Sequence, residues 1–518
     1  MKKTAVERIK AFERAKTKRK LFESVFEECY EYALPYRESF YAETIGQRRD
    51  DKIFDETAVV GVQEFASRLQ AGIVPIFSRW ADLMAGSEVP KEDRDPVNND
   101  LEDVTEYVFE VIQNSNFSQA VHESFLDLAV GTGVLSVVEG DSINPVKFAA
   151  VPLPHIVLDV GPDTTTIDDF FHERGDIMFA DIPDLYPDAK LSPELKAKIE
   201  RDPDGKTTLV EGVSRDHKVK NESAYDYFVI EKETKSFIMN DEVKGIGSNQ
   251  FIAFRWSACA KEVYGRGPLF NALSAIKTTN LTVELILENA QMAISGVYNM
   301  DDDGVVNPDT VQIVPGTIIP KAIGSGGLQP VAAAGSFDVA GLILEDMRLN
   351  IKRALYNDML GNPDRTPASA TEVAERMADL SRRIGSAFGR LQSELVQPIL
   401  QRVIYILKKQ GRISLPTVNG TEVRVRPVSP LAQAQANEDI TSVARFLELV
   451  GGMFGPEMLN ILIDSEESAV YLARKFGVPD NLIRDASQRK ELVAAMQQAA
   501  AAQQQQGIPD EQGGQQVQ

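Results

Sequence analysis

Apolar residues near the N-terminus recur at three-to-four spacing, with Leu21/Phe22, Val25/Phe26, Cys29/Tyr30 and Ala33 on one face. That spacing predicts a helix over 5–34, stopped by Pro35. A second helix is predicted over 55–73, where Val59, Val62, Phe65, Ala66 and Leu69 share a face and Pro75 follows the end. Residues 87–100 read as an acidic, proline-bearing loop, and helices are expected at about 100–113 and 118–130.

Between 134 and 257 the period shortens. Runs at 134–139, 145–151, 156–160, 170–179, 207–214, 224–231 and 251–257 are β-branched or aromatic, separated by Gly, Pro, Asp and Asn clusters. They predict strands of a mixed, largely antiparallel sheet region. A short helical insertion at 181–203 interrupts them. This half of the chain is therefore α+β and not a repeating βαβ array.

Long helices dominate the second half of the chain. Residues 268–295 predict a helix of roughly 40 Å at the usual rise per residue. Lys277, Glu284 and Glu288 punctuate it, so it is not a membrane span. After it come the acidic turn Asp301, Asp302, Asp303, two short strands near 311–314 and 317–321, and Gly324–Gly327. Ser336 is placed to cap a helix to 360, with Gly361 as its stop and Pro363 beyond. Ser369 with Glu372 makes a capping box for a helix to about 410. Pro398 removes one hydrogen bond inside that helix and predicts a kink. A strand pair is expected around 413–428, then helices over 431–495 and a Gln/Ala/Gly-rich tail.

Composition narrows the classes. The chain has 518 residues, 43% hydrophobic and 25% charged, ordinary proportions for a folded protein of several domains. Two cysteines, Cys29 and Cys259, exclude a disulfide framework and suit a reducing cytoplasm. No apolar run reaches the length of a membrane span, so no membrane association is expected. The net charge of −22 argues against tight DNA binding, because such affinity comes from Lys and Arg neutralising phosphates. An acidic conduit through which DNA slides stays compatible with it. The first twenty residues are strongly basic, and a solvated helix face is the favoured reading over a nucleic-acid arm.

Reactive chemistry is hard to find. There is no GxxxxGK[ST] phosphate loop and no GxSxG elbow. The pairs Gly131/Gly133, Gly245/Gly247 and Gly324/Gly326 lack the strand–loop–helix setting of a nucleotide fingerprint and read as turn glycines. His122, His155, His172 and His217 have no partner at ligand spacing, so no metal, no cofactor and no catalytic residue is assigned. Carboxylate pairs such as Asp168/Asp169 leave a two-metal nuclease open as an alternative. A different acidic structural protein without a channel is the other.

Two local motifs are more specific. Tyr264-Gly265-Arg266-Gly267-Pro268 opens the first long helix, its glycines permitting a tight reversal and its proline suiting a first helical position. Tyr264 and Arg266 could anchor that turn against neighbouring chains or DNA. The stretch ATEVAER at 370–376 starts the longest helix directly after a polar loop.

With these motifs in this order, about residues 1–480 resemble the head-to-tail connector, or portal, proteins of short-tailed bacteriophages. The resemblance implies a mainly helical portal fold and a ring, typically of twelve subunits, at one capsid vertex of the virion, assembled in the host cytoplasm. It implies a wing over 1–263, a first stem helix over 264–297, a clip over 298–335 and a second stem helix over 336–360. A tunnel loop would cover 361–369, a long kinked helix with wing strands 370–429, a helical crown 430–495 and a tail 496–518. Double-stranded DNA would pass through the ring during packaging and ejection, driven by a separate terminase motor. Tail and adaptor proteins, capsid and scaffolding proteins would be further partners.

On that resemblance Asn362, Asp364, Arg365 and Thr366 line the narrowest aperture. Lys277, Arg353, Arg382 and Arg383 become channel or intersubunit candidates, and intersubunit salt bridges or solvated charges explain them equally well. Asp301, Asp302, Asp303 and Lys321 become the tail-docking candidates of the clip.

Overall fold

Thr4 and Glu7 close the first turn of α1 (Ala5–Ala33) with a capping box, each side chain satisfying the other's backbone N–H. The computed structural model describes residues 3–42, 46–86, 89–90, 94–219, 223–295, 298–299, 323–324, 329–330, 337–357, 383–415, 423–427, 442–450, 452–453, 465–475, 489, 492 and 495. After α1 come α2 (Thr57–Ile73), the strand β1 (Ala81–Ala85), α3 (Arg94–Asn114) and α4 (Phe117–Val130). The supposed loop at 87–100 thus gives way to helix from Arg94. Asn98, Leu101 and Thr105 pack inward, and Asn98 accepts the Ala85 N–H at 2.9 Å.

The strand region follows as β2 (Thr132–Glu139), β3 (Val146–Ala150), β4 (Ile156–Val160) and β5 (Ile167–Met178). Two short helices, α5 (Ile182–Leu185) and α6 (Pro193–Arg201), form the insertion. Then come β6 (Lys206–Arg215), β7 (Ala224–Glu231), β8 (Ser236–Lys244) and β9 (Phe251–Arg255). They form a three-stranded sheet in the order β3-β2-β9 and a five-stranded sheet in the order β4-β5-β6-β7-β8. Every registered pair in both is antiparallel, so the expected mixture is absent from these sheets. Strand β8 was invisible in the sequence because it lies at a sheet edge, half exposed, with charged residues in place of an apolar alternation.

Strict alternation explains how the five-stranded sheet is covered. Val157, Phe171, Val210, Phe228 and Ile230 face one side and pack on Ala5, Ile9, Phe12 and Ala15 of α1. Leu209, Val229 and Ile238 face the other side and pack on Ile182, Tyr186 and Leu195 of the insertion. The second half of α1 joins the main core with α2, α4, β2 and β9, through Phe26, Cys29, Tyr30 and Ala33.

The same α1 face answers the charge question. Arg8 pairs with Asp226, Lys16 with Glu173 at 2.6 Å and Lys18 with Asp159 at 2.7 Å, all acids on the sheet face that α1 covers. Arg19 is buried and bonds Glu23 at 2.8 Å and the carbonyls of Pro154 and Ile156 at 2.7 and 2.9 Å. The solvated-face reading holds for Lys3, Lys10, Arg14 and Lys20, which are exposed, but not for the buried Arg8 and Arg19. Much of its charge is spent on the chain's own acidic sheet.

Helix α7 (Pro268–Ser295) starts and ends where the pattern placed it. The two-residue strands β10 (Tyr298–Asn299) and β11 (Gln329–Pro330) pair antiparallel and close the base of the excursion between them. Helix α8 (Phe337–Ala354) stops short of the expected 360. Leu355 turns into the core, and Tyr356 takes a left-handed φ of 59°. The stop rule pointed to Gly361, but a tyrosine ends the helix.

Downstream, helix Gly385–Leu391 runs through a π-helical turn, Gln392–Val396, into helix Gln397–Lys409. The Gln397 N–H bonds the carbonyl of Gln392, five residues back, so the ladder is rewound just before Pro398, which has no N–H to give. The expected strand pair at 413–428 is corrected. Residues 413–415 are not strand, and β12 (Val423–Pro427) pairs with distant β1, Ala81 opposite Pro427. Helix is present at 442–450, 452–453 and Ser465–Lys475 within the predicted 431–495.

Candidate functional site

The entrance to α7 is a place where three backbones touch. The Gly265 N–H donates to Thr132 Oγ1 at 2.8 Å, Arg266 N–H to the Ser257 carbonyl at 2.7 Å and Gly267 N–H to the Val130 carbonyl at 2.8 Å. A Cβ on Gly265 would lie 2.2 Å from the Gly131 carbonyl oxygen, and one on Gly131 would lie 2.1 Å from the Gly265 oxygen. A Cβ on Gly267 would meet the Ala129 oxygen at 2.1 Å. Only glycine fits these positions, and the reason is contact between main chains, not turn geometry. Gly131 was read as a turn glycine. It is half of this junction, and its place between α4 and β2 was the available signal.

Tyr264 is buried at 1% exposure, and its hydroxyl accepts the Leu158 N–H at 3.0 Å. Its ring lies against Phe22 and Phe26, and burial pushes its pKa up to about 12. It anchors the turn inside its own chain, which corrects the expectation of an outward contact. Arg266 is partly exposed and bonds Glu262 at 2.6 Å, with its guanidinium over the Phe270 ring. Pro268 is buried at the first helical position.

Two arginines missed in the sequence fasten this junction to the helix that carries the π turn. Arg255 bonds Glu394 through its side chain at 2.6 Å, and Glu394 also accepts the Arg255 backbone N–H at 2.9 Å. The π turn carries Glu394, so the irregular winding presents this carboxylate to the otherwise open edge of β9. Arg402, from the next helix, donates to the carbonyls of Val137, Gly247 and Ser248 at 2.9, 3.2 and 2.9 Å. Its burial lowers its pKa to about 10.

From this anchored base α7 and α8 leave the core together. Buried positions on α7 end at Asn280, which accepts the Phe54 and Asp55 N–H groups at 2.7 and 3.1 Å. Asp55 in turn pairs with Arg348 of α8 at 2.7 Å. Beyond that tie every described α7 position is half-buried or exposed. Leu281, Leu285 and Leu287 are 53%, 55% and 52% exposed, and Ile343 on α8 is 47% exposed. Asn271, Ser274, Thr278, Leu281, Leu285 and Glu288 form one exposed stripe with alternating three- and four-residue steps, the spacing of a helix–helix seam.

The candidate cations fall in different places. Lys277 reaches Glu28 at 3.2 Å and lies over Tyr32, within the chain. Arg353 sits on the exposed last turn of α8, and Arg383 lies near Tyr356. Asn362, Asp364, Arg365, Thr366 and Arg382 lie outside the described residues, as do Asp301, Asp302, Asp303 and Lys321.

Chemistry remains sparse. Among the described residues no group of three or more His, Cys, Asp or Glu could hold a metal, and no helix is long and apolar enough to cross a membrane. Asp168 is buried beside His217 at 2.8 Å and Thr166 at 3.3 Å, while Asp169 follows it on the opposite face of β5. His155 bonds Glu38 at 2.6 Å, and His122 contacts Gln70 at 3.2 Å.

The sequence model of the bacteriophage head to tail connecting protein family matches residues 5–483. The chain is 24% identical to the probable portal protein of Bordetella phage BPP-1, over 91% of this chain and 87% of that one. It is 23% identical to the portal protein of Salmonella phage epsilon15, over 93% of this chain and 89% of that one. Among solved structures it is similar to a chain in the neck of an empty gene transfer agent particle. Identity there is 14% and the TM-score 0.33, with 82% of this chain and 92% of that chain covered. A chain from the virion of the native particle gives 14% and 0.35, with the same coverage.

Proposed function

This chain belongs to the bacteriophage head to tail connecting protein family, and we propose that it acts as one subunit of a closed portal ring of about twelve copies at a capsid vertex. Double-stranded DNA passes through the ring during packaging and ejection. A separate terminase motor drives packaging, and tail and adaptor proteins dock on the excursion at 298–335. The loop at 361–369 faces the DNA.

The observation that carries this reading is the α7–α8 pair. A helix pair anchored at its base by a three-glycine junction exposes Leu281, Leu285 and Ile343, which the described residues of its own chain leave uncovered. Solvent does not favour such a seam, and a neighbouring copy would bury it. Contacts between two different faces close into a ring when the rotation between copies fits. The charge of −22 per copy suits a conduit that DNA crosses without adhering.

Electron microscopy of the purified protein tests the ring. A closed assembly with a central hole wide enough for duplex DNA is expected, and a monomer or a compact oligomer without a hole overturns the reading. Shortening 361–367 should leave rings intact while DNA-filled particles are lost. Normal filling by that variant would remove the loop assignment.

A further inference from the structure

The described residues on either side of 358–382 meet at one small apolar pocket. Its walls include Phe65, Leu69 and Ile73 of α2, with Trp256 after β9. Arg68 and Gly72 of α2 also line it, together with Leu355 and Tyr356, just before the segment, and Ile384, just after it. Both roots of the excursion therefore rest on one helix.

The first root is held in a costly way. The Asn357 N–H bonds the Lys352 carbonyl at 2.7 Å and the Tyr356 N–H bonds the Arg353 carbonyl at 3.1 Å. This is the Schellman ending, whose left-handed position usually takes glycine. Here Tyr356 occupies it with φ 59°, a conformation unfavourable for an aromatic residue. Three contacts hold it there. Arg68 Nη1 donates to the Tyr356 carbonyl at 2.7 Å, the Trp256 ring lies 5.6 Å away, and Asn357 Nδ2 donates to the Gly61 carbonyl at 2.7 Å. Gly61 itself permits the approach, since a Cβ there would lie 2.7 Å from Leu355 Cδ1.

We propose that Arg68 and Tyr356 are positioning residues, forming with this pocket a joint that fixes both roots of residues 358–382 to α2. A glycine would end α8 with less strain. The tyrosine supplies a ring that packs on Trp256 and shares the pocket with Ile384 of the second root, so a shift at either root is transmitted to α2. α2 therefore sets the seat of the excursion. The bearing of this joint on DNA rests on the proposed DNA-facing role of 361–369.

Amide hydrogen exchange on assembled full-length rings tests the joint, using peptides covering 351–357 and 383–391. Arg68→Met keeps the apolar stem in the pocket and removes the donor. It should speed exchange at both roots by about tenfold while the α1–sheet region keeps its protection. Tyr356→Gly relieves the left-handed strain but removes the ring, so it too should speed exchange at both roots while the α1–sheet region keeps its protection. Acceleration confined to 351–357, or slower exchange at both roots in Tyr356→Gly, overturns the joint. The same two variants should assemble normal empty particles with fewer DNA-filled ones. If both roots loosen but filling stays at the wild-type level, the joint stands and the DNA-facing assignment of 361–369 falls.

Discussion

The α1–sheet body and the α7–α8 pair use the same residue types to opposite ends. On the body, Arg8, Lys16 and Lys18 meet Asp226, Glu173 and Asp159, and Phe12 sits buried against Phe171 at 5.8 Å. On the distal helix pair, Leu281, Leu285 and Leu287 stay half exposed beyond the ties that Asn280 and Arg348 make to residues 54–55. Burying a leucine is worth about 2 kcal/mol, so leaving Leu281 and Leu285 exposed on one stripe leaves that energy for association. The body finds these partners within the chain. On the proposed reading, another copy completes the helix pair.

The junction between the two regions should be the least tolerant place in the chain. Gly267→Val puts a branched side chain where even a Cβ lies 2.1 Å from the Ala129 carbonyl oxygen, a main-chain atom that cannot rotate away. The expected cost exceeds the roughly 1–3 kcal/mol of ordinary overpacking, because α4 and α7 must separate. Little soluble protein is expected, and circular dichroism of what remains should show a lowered melting temperature. A variant as stable as the parent would mean that the α4–α7 contact is looser than these distances imply.

Next in size is the seam itself. Leu281→Glu with Leu285→Glu should leave the body folded, with an unchanged far-ultraviolet spectrum, while sedimentation velocity shows monomer in place of ring. At about 2 kcal/mol for each leucine the pair should weaken each interface by several hundredfold or more. Persisting rings would show that the exposed stripe is not the interface. Loss of both fold and ring would show that the two regions are not separable as argued.

Much of this division was legible in the chain. The three-to-four spacing of α1, the bounds of α7, and the YGRGP entrance stood in the sequence. So did most strands, since β-branched runs between turn residues mark buried strands well. What failed did so for physical reasons. β8 sits at an edge where burial no longer enforces alternation, and β1, ADLMA, has no β-branched or aromatic residue to mark it. The pairing of β1 with β12 joins segments some 340 residues apart, which no local pattern encodes. Tyr356 ends α8 without the glycine that marks most such endings, because tertiary contacts from Arg68 and Trp256 hold the left-handed turn. The basic N-terminus misled because a run of charge does not show that its partners lie in the same chain. Site residues in the 361–369 loop and the 298–335 excursion came from the family resemblance, and their geometry belongs to residues outside the described set.

The smallest expected effect uses pH to separate the two regions. His172 lies inside the body on β5, its ring edge-on to Phe251 at 6.0 Å. Burial, with Arg174 nearby, lowers its pKa to about 3 from an ordinary 6.5. Glu211 stands 4.0 Å away, but Tyr227, Gln250 and Arg174 already share that carboxylate, so it does not restore the charge. His172 is therefore neutral in the fold, while the unfolded chain takes up a proton below about pH 6.5. Its favourable contribution is complete above pH 6.5 and is lost as pH falls towards 3. Between pH 6.5 and 5 the loss is about 2 kcal/mol. His172→Gln should flatten that acid limb of the body's melting curve, whatever it does to stability at pH 7.5. The seam between copies contains no described histidine, so ring dissociation at constant ionic strength should keep its parental pH dependence over that range. A His172→Gln ring whose dissociation profile shifts along with its melting curve would show that body and seam are coupled, and that the helix pair draws on the sheet for more than its anchorage.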